Sequence, residues 1–198
     1  MYYEGTVNVM GLDMYLWKIN NQALAYKDED VWDLHETNPA LYEKLKPYMK
    51  KTKYGNFDTI HEEVGYWRKA NQIHNWFVEN VQDGVDDCSS YIVSKEQIEE
   101  LLDVCVQVKE SITLIDGEVR NGQISKNGVM VDNIEPGKQI VNTAVAEELL
   151  PTCAGFFFGS TDYDQWYAEN IYNTIEILEQ ILDDFDFENY TLLYSASW

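Results

Sequence analysis

The stretch GFFFGSTDYDQWYAENIYNTIEILEQILDDFDFENYTLLYSAS (residues 155–197) carries the clearest secondary-structure pattern in the chain. Its opening GFFFG predicts a short buried strand bounded by glycines. Thr161 and Asp164 then predict the capped start of a long helix that ends near Asp184. Residues 190–197 predict a final strand. A long helix between two strands indicates a fold in which a sheet packs against helices.

Earlier stretches extend both the sheet and the helical layer. GLDMYLWKI (residues 11–19) alternates between two faces, which predicts a strand. Residues 62–82 have apolar side chains at helical spacing and predict the first main helix. Ser94 and Gln97 form a capping box that predicts a second main helix over residues 95–109. With the C-terminal helix, the chain is expected to have three main helices.

Residues 111–140 differ from the rest of the chain, because turn signals separate short β-type runs. The turn signals are Asp116-Gly117, Asn121-Gly122 and Asn127-Gly128. They predict one or two β-hairpins, which would form a flap inserted into the main body. The expected fold is therefore α+β: a single domain over residues 1–198, in which a small antiparallel sheet packs against three main helices.

Charge is distributed unevenly along the chain. There are 35 acidic and 14 basic residues, which gives a net charge of −21. Residues 139–198 contain no Lys, Arg or His. This excess predicts an acidic surface that binds a basic partner protein and avoids direct contact with nucleic acid and anionic lipid. The candidate residues of that surface are Asp162, Asp164, Glu169, Glu176, Glu179, Asp183 and Asp184. The alternative is that the acidity only aids solubility.

One local stretch is basic. Asn38 and Pro39 predict the start of a short helix that ends near residue 49. A cluster of lysines accompanies and follows it: Lys44, Lys46, Lys50, Lys51 and Lys53. These lysines are candidates for pairing with the acidic C-terminal half, either within the chain or across a homodimer.

Two polar residues interrupt the apolar arc of the helix predicted over residues 62–82. Asn71 and His74 lie inside that arc, about one turn apart and close to Trp67. Buried polar side chains need partners. Trp67, Asn71 and His74 are therefore either a satisfied core network or the lining of a pocket that binds a small ligand.

The opposite side of the same predicted helix combines cations with an aromatic ring. Arg68, Lys69 and Trp76 would lie there. An exposed tryptophan beside cations is typical of a partner-binding surface. The alternative is that Trp76 packs beneath another element.

The remaining chemistry-bearing residues form no recognisable site. Cys88, Cys105 and Cys153 are scattered, and the three histidines lack zinc spacing. We therefore expect no catalytic residues, no metal and no cofactor. No stretch resembles a signal peptide or a membrane span, so the expected location is the cytoplasm.

Three stretches resemble a family of small bacteriophage and bacterial proteins that has no established activity. They are MGLDMYL (residues 10–16), EEVGYWRKANQIHNWFVENVQDGVDDC (62–88) and AEELLPTCAGFFFGSTDYDQWY (146–167). The resemblance implies a phage or prophage context, and hence the cytoplasm of the host cell. By analogy with other small acidic phage proteins, it implies binding to a host factor.

Three functional hypotheses follow. The first is a non-catalytic acidic protein that inhibits or sequesters a host factor, with a nucleic-acid-handling or defence complex as the expected target. The second is a pocket protein that binds a nucleotide or another small metabolite. The third is a small hydrolase or transferase, which would need an essential His74.

Overall fold

The computed structural model describes residues 11–52, 55, 58–155 and 158–198. Its strands are β1 (Asp13–Asn20), β2 (Lys50–Lys51), β3 (Asp58–Thr59), β4 (His61–Arg68), β5 (Tyr91–Val93), β6 (Leu114–Lys126), β7 (Val129–Ile140) and β8 (Tyr190–Ser197). Its helices are α1 (Leu34–Thr37), α2 (Pro39–Leu45), α3 (Asn71–Asn80), α4 (Lys95–Ser111), α5 (Ala144–Leu149) and α6 (Gln165–Asp184). Within the described part of the chain, no helix combines the length and apolar composition needed to cross a membrane.

The main sheet is antiparallel, with strand order β4-β1-β8-β5. In the central strand β1, Met14 pairs with Trp67 of β4 on one side and with Ala196 of β8 on the other. Alternation along β1 places Leu12, Met14 and Leu16 on one face, where all three are completely buried. The strand and its inward face are therefore as the sequence predicts.

The three longest helices, α3, α4 and α6, contribute to the core on this face of the sheet. The ring of Phe77 on α3 stacks on Tyr194 of β8, with centroids 3.9 Å apart. α6 approaches β4 so closely that a Cβ atom at Gly65 would lie 2.9 Å from Cγ2 of Ile177. The predicted α+β fold, an antiparallel sheet against three main helices, is confirmed.

A second, smaller core lies on the other face of the sheet. Ile19 and Leu193 are completely buried there, in a cluster with Ala23, Val31, Leu34, Leu45 and Ile60. The short helix predicted at Asn38 is confirmed as α2, and the Asn38 side chain accepts a hydrogen bond from the Leu41 N–H at 3.3 Å.

The lysine-rich stretch pairs locally rather than with the C-terminal half. Three of its lysines form ion pairs: Lys46 with Glu43, Lys50 with Glu62, and Lys51 with Asp58. Lys53 lies outside the described residues. The pairing of these three lysines with the acidic C-terminal half of the same chain is therefore not observed.

Strands β6 and β7 form one long hairpin, which is a sheet of its own. Its turn is Asn127-Gly128, where both residues have positive φ, as the predicted hairpin turn requires. Asn121-Gly122 falls at an irregularity between Arg120 and Gln123, and Asp116-Gly117 lies within β6. The two latter pairs are therefore not hairpin turns.

The helix predicted over residues 62–82 is wrong in its first half. Residues 61–68 form β4, and the helix α3 begins only at Asn71. Between them the chain turns at Lys69, which has a φ of 60°. Val64 and Trp67 fit a helical spacing, but aromatic and β-branched residues also suit a strand. Antiparallel pairing with β1 along the whole of β4 decides the outcome.

Two further features are predicted near the start of α6. At GFFFG, residues 156 and 157 lie outside the described part of the chain, and Gly155, Phe158 and Gly159 belong to no strand. The N-cap of α6 is Asp164 rather than Thr161. The helix itself ends at Asp184, as expected, and the final strand is β8.

Candidate functional site

Trp67 lies on β4 and points into the core. Its indole N–H donates a hydrogen bond to Oγ1 of Thr174 on α6 at 2.9 Å. The Thr174 hydroxyl in turn donates to the Asn170 carbonyl at 2.7 Å. The polar atom of this tryptophan is therefore used to join β4 to α6.

Asn71 is buried at the first position of α3, and its amide is fully used within the protein. Its Nδ2 donates to the carbonyls of Phe158 at 3.1 Å and Ser160 at 2.8 Å. Its Oδ1 accepts from the Cys153 N–H at 3.0 Å. The side chain thereby fastens the segment that precedes α6 to the start of α3.

His74 is also buried, one turn further along α3. Its Nδ1 lies 2.7 Å from the Tyr194 hydroxyl oxygen. Its Nε2 lies 3.1 Å from Oδ1 of Asp86, close enough for electrostatic attraction but not aligned as a hydrogen bond. Burial lowers the pKa of His74, and the Asp86 carboxylate offsets part of that effect.

The neighbouring thiol is not an activated nucleophile. Burial raises the pKa of Cys153, and the carboxylates of Asp86 and Glu79 raise it further. A catalytic cysteine needs the opposite shift, because the thiolate is the nucleophilic form. Trp67, Asn71 and His74 are all buried, and each forms hydrogen bonds inside the protein.

The aromatic and basic candidates do not share one helical face. Arg68 ends β4, Lys69 occupies the turn, and both side chains are exposed. Trp76 is only 6% exposed and packs edge-on against Phe77, with ring centroids 5.4 Å apart. Of the two alternatives for Trp76, packing beneath other elements is the one observed, because α3 lies within the core and seven of its ten residues are buried.

Two of the seven acidic candidates are not free surface charges. Asp164 is only 3% exposed, and its Oδ1 accepts hydrogen bonds from the backbone N–H groups of Trp166 and Tyr167. Asp162 is exposed, but its Oδ2 lies 3.2 Å from Nη2 of Arg120. These two carboxylates therefore form interactions within the protein near the start of α6.

The other five acidic candidates line the solvent side of α6. They are Glu169, Glu176, Glu179, Asp183 and Asp184, and all are exposed. None forms an ion pair with a residue in the described ranges. The opposite side of the helix is apolar and includes Ile171, Leu178 and Ile181 in the core.

Helical spacing explains why these carboxylates face outward together. Residues 169, 176, 179 and 183 fall within an arc of about 80° at 100° per residue. The buried residues occupy the opposite side of the same helix. The neighbouring solvent surface of α4 is also acidic: Glu96, Glu99, Glu100, Asp103 and Glu110 are exposed. Lys95 and Lys109 are the two cations of α4.

The sequence did not predict which residues contact His74 and Asp162. Tyr194 and Asp86 contact His74 from β8 and from the segment after α3, and Arg120 reaches Asp162 from the hairpin. No local pattern could reveal these pairs, because the partners are far apart along the chain except for Asp86.

No family model, curated protein or solved structure matches this chain.

Proposed function

We propose that this chain is a non-catalytic acidic binding protein that inhibits or sequesters a protein of a bacterial host. The acidic helical surface, defined as Glu176, Glu179, Asp183 and Asp184 of α6 with the adjoining exposed carboxylates of α4, contacts a basic surface of the target. A protein that handles nucleic acid or belongs to a defence complex is the class of target with such a surface.

The single observation that carries the proposal is the uncompensated solvent face of α6. Its five exposed carboxylates lie on one helix, and none is paired with a cation in the described part of the chain. Like charges held on one surface repel one another, and a basic partner relieves that repulsion. The field also attracts such a partner from a distance and accelerates its association.

Two further points support this proposal. Residues 139–198 contribute no cation at all, so the acidity of this surface is not offset within the segment that builds it. The resemblance of three stretches to small bacteriophage and bacterial proteins favours a target in the host cell. A ligand pocket at Trp67, Asn71 and His74 is not favoured, because all three side chains are buried and bonded within the protein.

A comparison of two charge variants tests the proposal. In the α6 variant, Glu176→Gln, Glu179→Gln, Asp183→Asn and Asp184→Asn are combined. In the control variant, Asp28→Asn, Glu29→Gln, Asp30→Asn and Glu36→Gln remove the same amount of charge from exposed residues before α1 and within it. Wild-type protein and both variants are immobilised and exposed to bacterial lysate at low salt.

The expected result is a host protein that is captured by the wild type and the control variant, is lost with the α6 variant, and elutes as salt rises. Equal capture by all three proteins would show that another surface binds the host protein, and an equal loss of capture in both variants would show that binding follows total charge. Thermal unfolding of the three proteins confirms that the variants remain folded.

A further inference from the structure

A cleft of about 490 Å³ lies between the hairpin and the start of α6. Its lining includes Lys69, Arg120, Gln123, Ser160, Trp166 and Asn170. These residues come from the turn after β4, from β6, from the segment before α6 and from the first turns of α6 itself. Its volume falls in the range of small-molecule sites in proteins.

The cleft is close to electrically balanced, in contrast to the rest of the protein. Its basic side chains are Arg68, Lys69 and Arg120, and its acidic ones are Asp132, Asp162, Asp164 and Glu169. Three of the 14 basic residues of the chain therefore line one cleft. Arg120 is already engaged by Asp162 and Asp132, with N to O distances of 3.2 and 4.0 Å.

A buried carboxylate oxygen in the wall of this cleft lacks a partner. Asp164 uses Oδ1 to cap α6, but its Oδ2 has no hydrogen-bond partner among the described residues. Asp164 also lines a second cavity of about 370 Å³, which shares Arg120 and Asp162 with the cleft. An unpaired buried acceptor is costly, so this position favours an occupant that donates a hydrogen bond.

An aromatic ring and several amides complete the lining. Trp166, at the start of α6, is 38% exposed. The side chains of Gln72, Asn121, Gln123 and Asn170 also line the cleft. The amide nitrogens of Gln72, Asn121 and Gln123 already donate to Tyr167, Glu135 and Asp132, but each amide nitrogen carries two N–H groups and each amide oxygen can accept. Such a lining suits a ligand whose groups donate and accept at many positions.

The backbone beside the cleft is held in an unusual conformation. Lys69 has a φ of 60°, and Gly159 has a φ of 95°. A Cβ atom at Gly159 would lie 3.1 Å from Cβ of Lys69, so glycine permits the two turns to meet. Backbone strain of this kind is concentrated at functional sites, because the surrounding structure has to maintain it.

We propose that this cleft binds a neutral, hydroxyl-rich ring, that is, a saccharide. Each sugar hydroxyl is both a donor and an acceptor, so one ligand can satisfy Oδ2 of Asp164 and the surrounding amides. The face of a sugar ring can pack on the exposed indole of Trp166. A phosphate-bearing ligand fits less well, because four carboxylates line the same cleft.

The test is an array of immobilised glycans, followed by an NMR titration of the protein with the free sugar that gives the strongest signal. Inorganic phosphate and adenosine monophosphate are titrated as anionic comparisons. The variants are Trp166→Ala and Asp164→Asn. Trp32→Ala is the matched control, because Trp32 is 55% exposed and is not part of the cleft lining.

The expected result is saccharide binding that weakens about tenfold in Trp166→Ala and in Asp164→Asn, the effect of losing one good contact. Trp32→Ala should bind as the wild type does. The melting temperature of Asp164→Asn should stay close to that of the wild type, because asparagine also caps helices well. If Asp164 only capped α6, Asp164→Asn would keep both its stability and its affinity for the saccharide.

Three outcomes would overturn the proposal: no glycan on the array binds, affinity is unchanged in Trp166→Ala, or phosphate and the nucleotide shift the cleft resonances while sugars do not. The α6 charge variant described above changes none of the cleft residues. Failure of host-protein capture and failure of saccharide binding are therefore separate results.

Discussion

Nδ1 of His74 lies 2.7 Å from the hydroxyl oxygen of Tyr194, and this contact joins α3 to β8 inside the core. Both side chains are almost completely buried. Burial raises the pKa of Tyr194 well above its ordinary value, so its hydroxyl stays protonated. A buried hydroxyl needs a hydrogen-bond partner, and His74 supplies it.

The first prediction concerns this pair. His74→Ala should cost about 1–3 kcal/mol of unfolding free energy, because it leaves the Tyr194 hydroxyl unpaired. Tyr194→Phe removes that hydroxyl, so the double variant should be less destabilised than the two single variants added together. Denaturant unfolding of the four proteins measures the coupling. Strictly additive effects would mean that the contact contributes nothing to stability.

A second prediction follows from the pKa of His74. Burial lowers that pKa in the folded protein, so the unfolded chain binds a proton more readily, near pH 6.5. Folding stability should therefore fall as the pH drops through about 6.5. Burial also lowers the pKa of His61. His61 is still present in His74→Asn, so its contribution to the pH dependence should be the same in both proteins.

Unfolding free energies at about pH 7.5 and about pH 5.5 separate the two histidines. The loss on acidification should be smaller in His74→Asn than in the wild type. An identical loss in both proteins would place the titration elsewhere and contradict the assignment to His74.

The third prediction concerns the start of α6. Asp164→Ala should cost about 1 kcal/mol, because the N–H groups of Trp166 and Tyr167 lose their acceptor. Burial raises the pKa of Asp164, because it disfavours the ionised form of the carboxyl group in the folded protein. Asp164→Asn removes that charge and keeps the cap, and it should be at least as stable as the wild type.

Thr161→Ala is the control for this cap. Thr161 is exposed and does not cap the helix, so its substitution should change stability by less than about 0.5 kcal/mol. A larger loss of stability in Thr161→Ala than in Asp164→Ala, measured by thermal unfolding, would show that Thr161 is the N-cap of α6.

The fourth prediction tests the close approach of α6 to β4. Gly65→Ala should cost about 1–3 kcal/mol, because its Cβ would lie 2.9 Å from Cγ2 of Ile177. Ile177→Ala removes the atom that would clash. The double variant should therefore be more stable than the sum of the two single effects predicts. If Ile177→Ala gives no such relief, the helix and strand are further apart than described.

Much of the fold can be predicted from the sequence, because local rules govern it. The alternation in β1, the capping box at Ser94 and the Asn127-Gly128 turn each depend on a few neighbouring residues, and all three predictions are confirmed. The helix over residues 62–82 fails for the opposite reason. Its first half becomes a strand through pairing with β1, a partner about 50 residues away that periodicity cannot reveal.

The candidate site residues also divide into those that local spacing predicts and those that depend on partners far away in the sequence. The outward face of α6 follows from helical spacing alone, and its five exposed carboxylates are where the sequence places them. The burial of Asp164 and the pairing of Asp162 with Arg120 depend on the hairpin, which lies 40 residues or so earlier in the chain. The spacing leaves Trp76 either exposed or buried, and it is buried because the core encloses α3 on most sides.

The central claim is that the acidic helical surface attracts a basic host protein. The most direct measurement is the association rate constant of the captured host protein with the wild type and with the α6 variant, at low and at high salt. We expect a roughly tenfold slower association of the α6 variant at low salt, a nearly unchanged dissociation rate, and equal association rates of the two proteins at high salt. Equal association rates of wild type and α6 variant at low salt would contradict it.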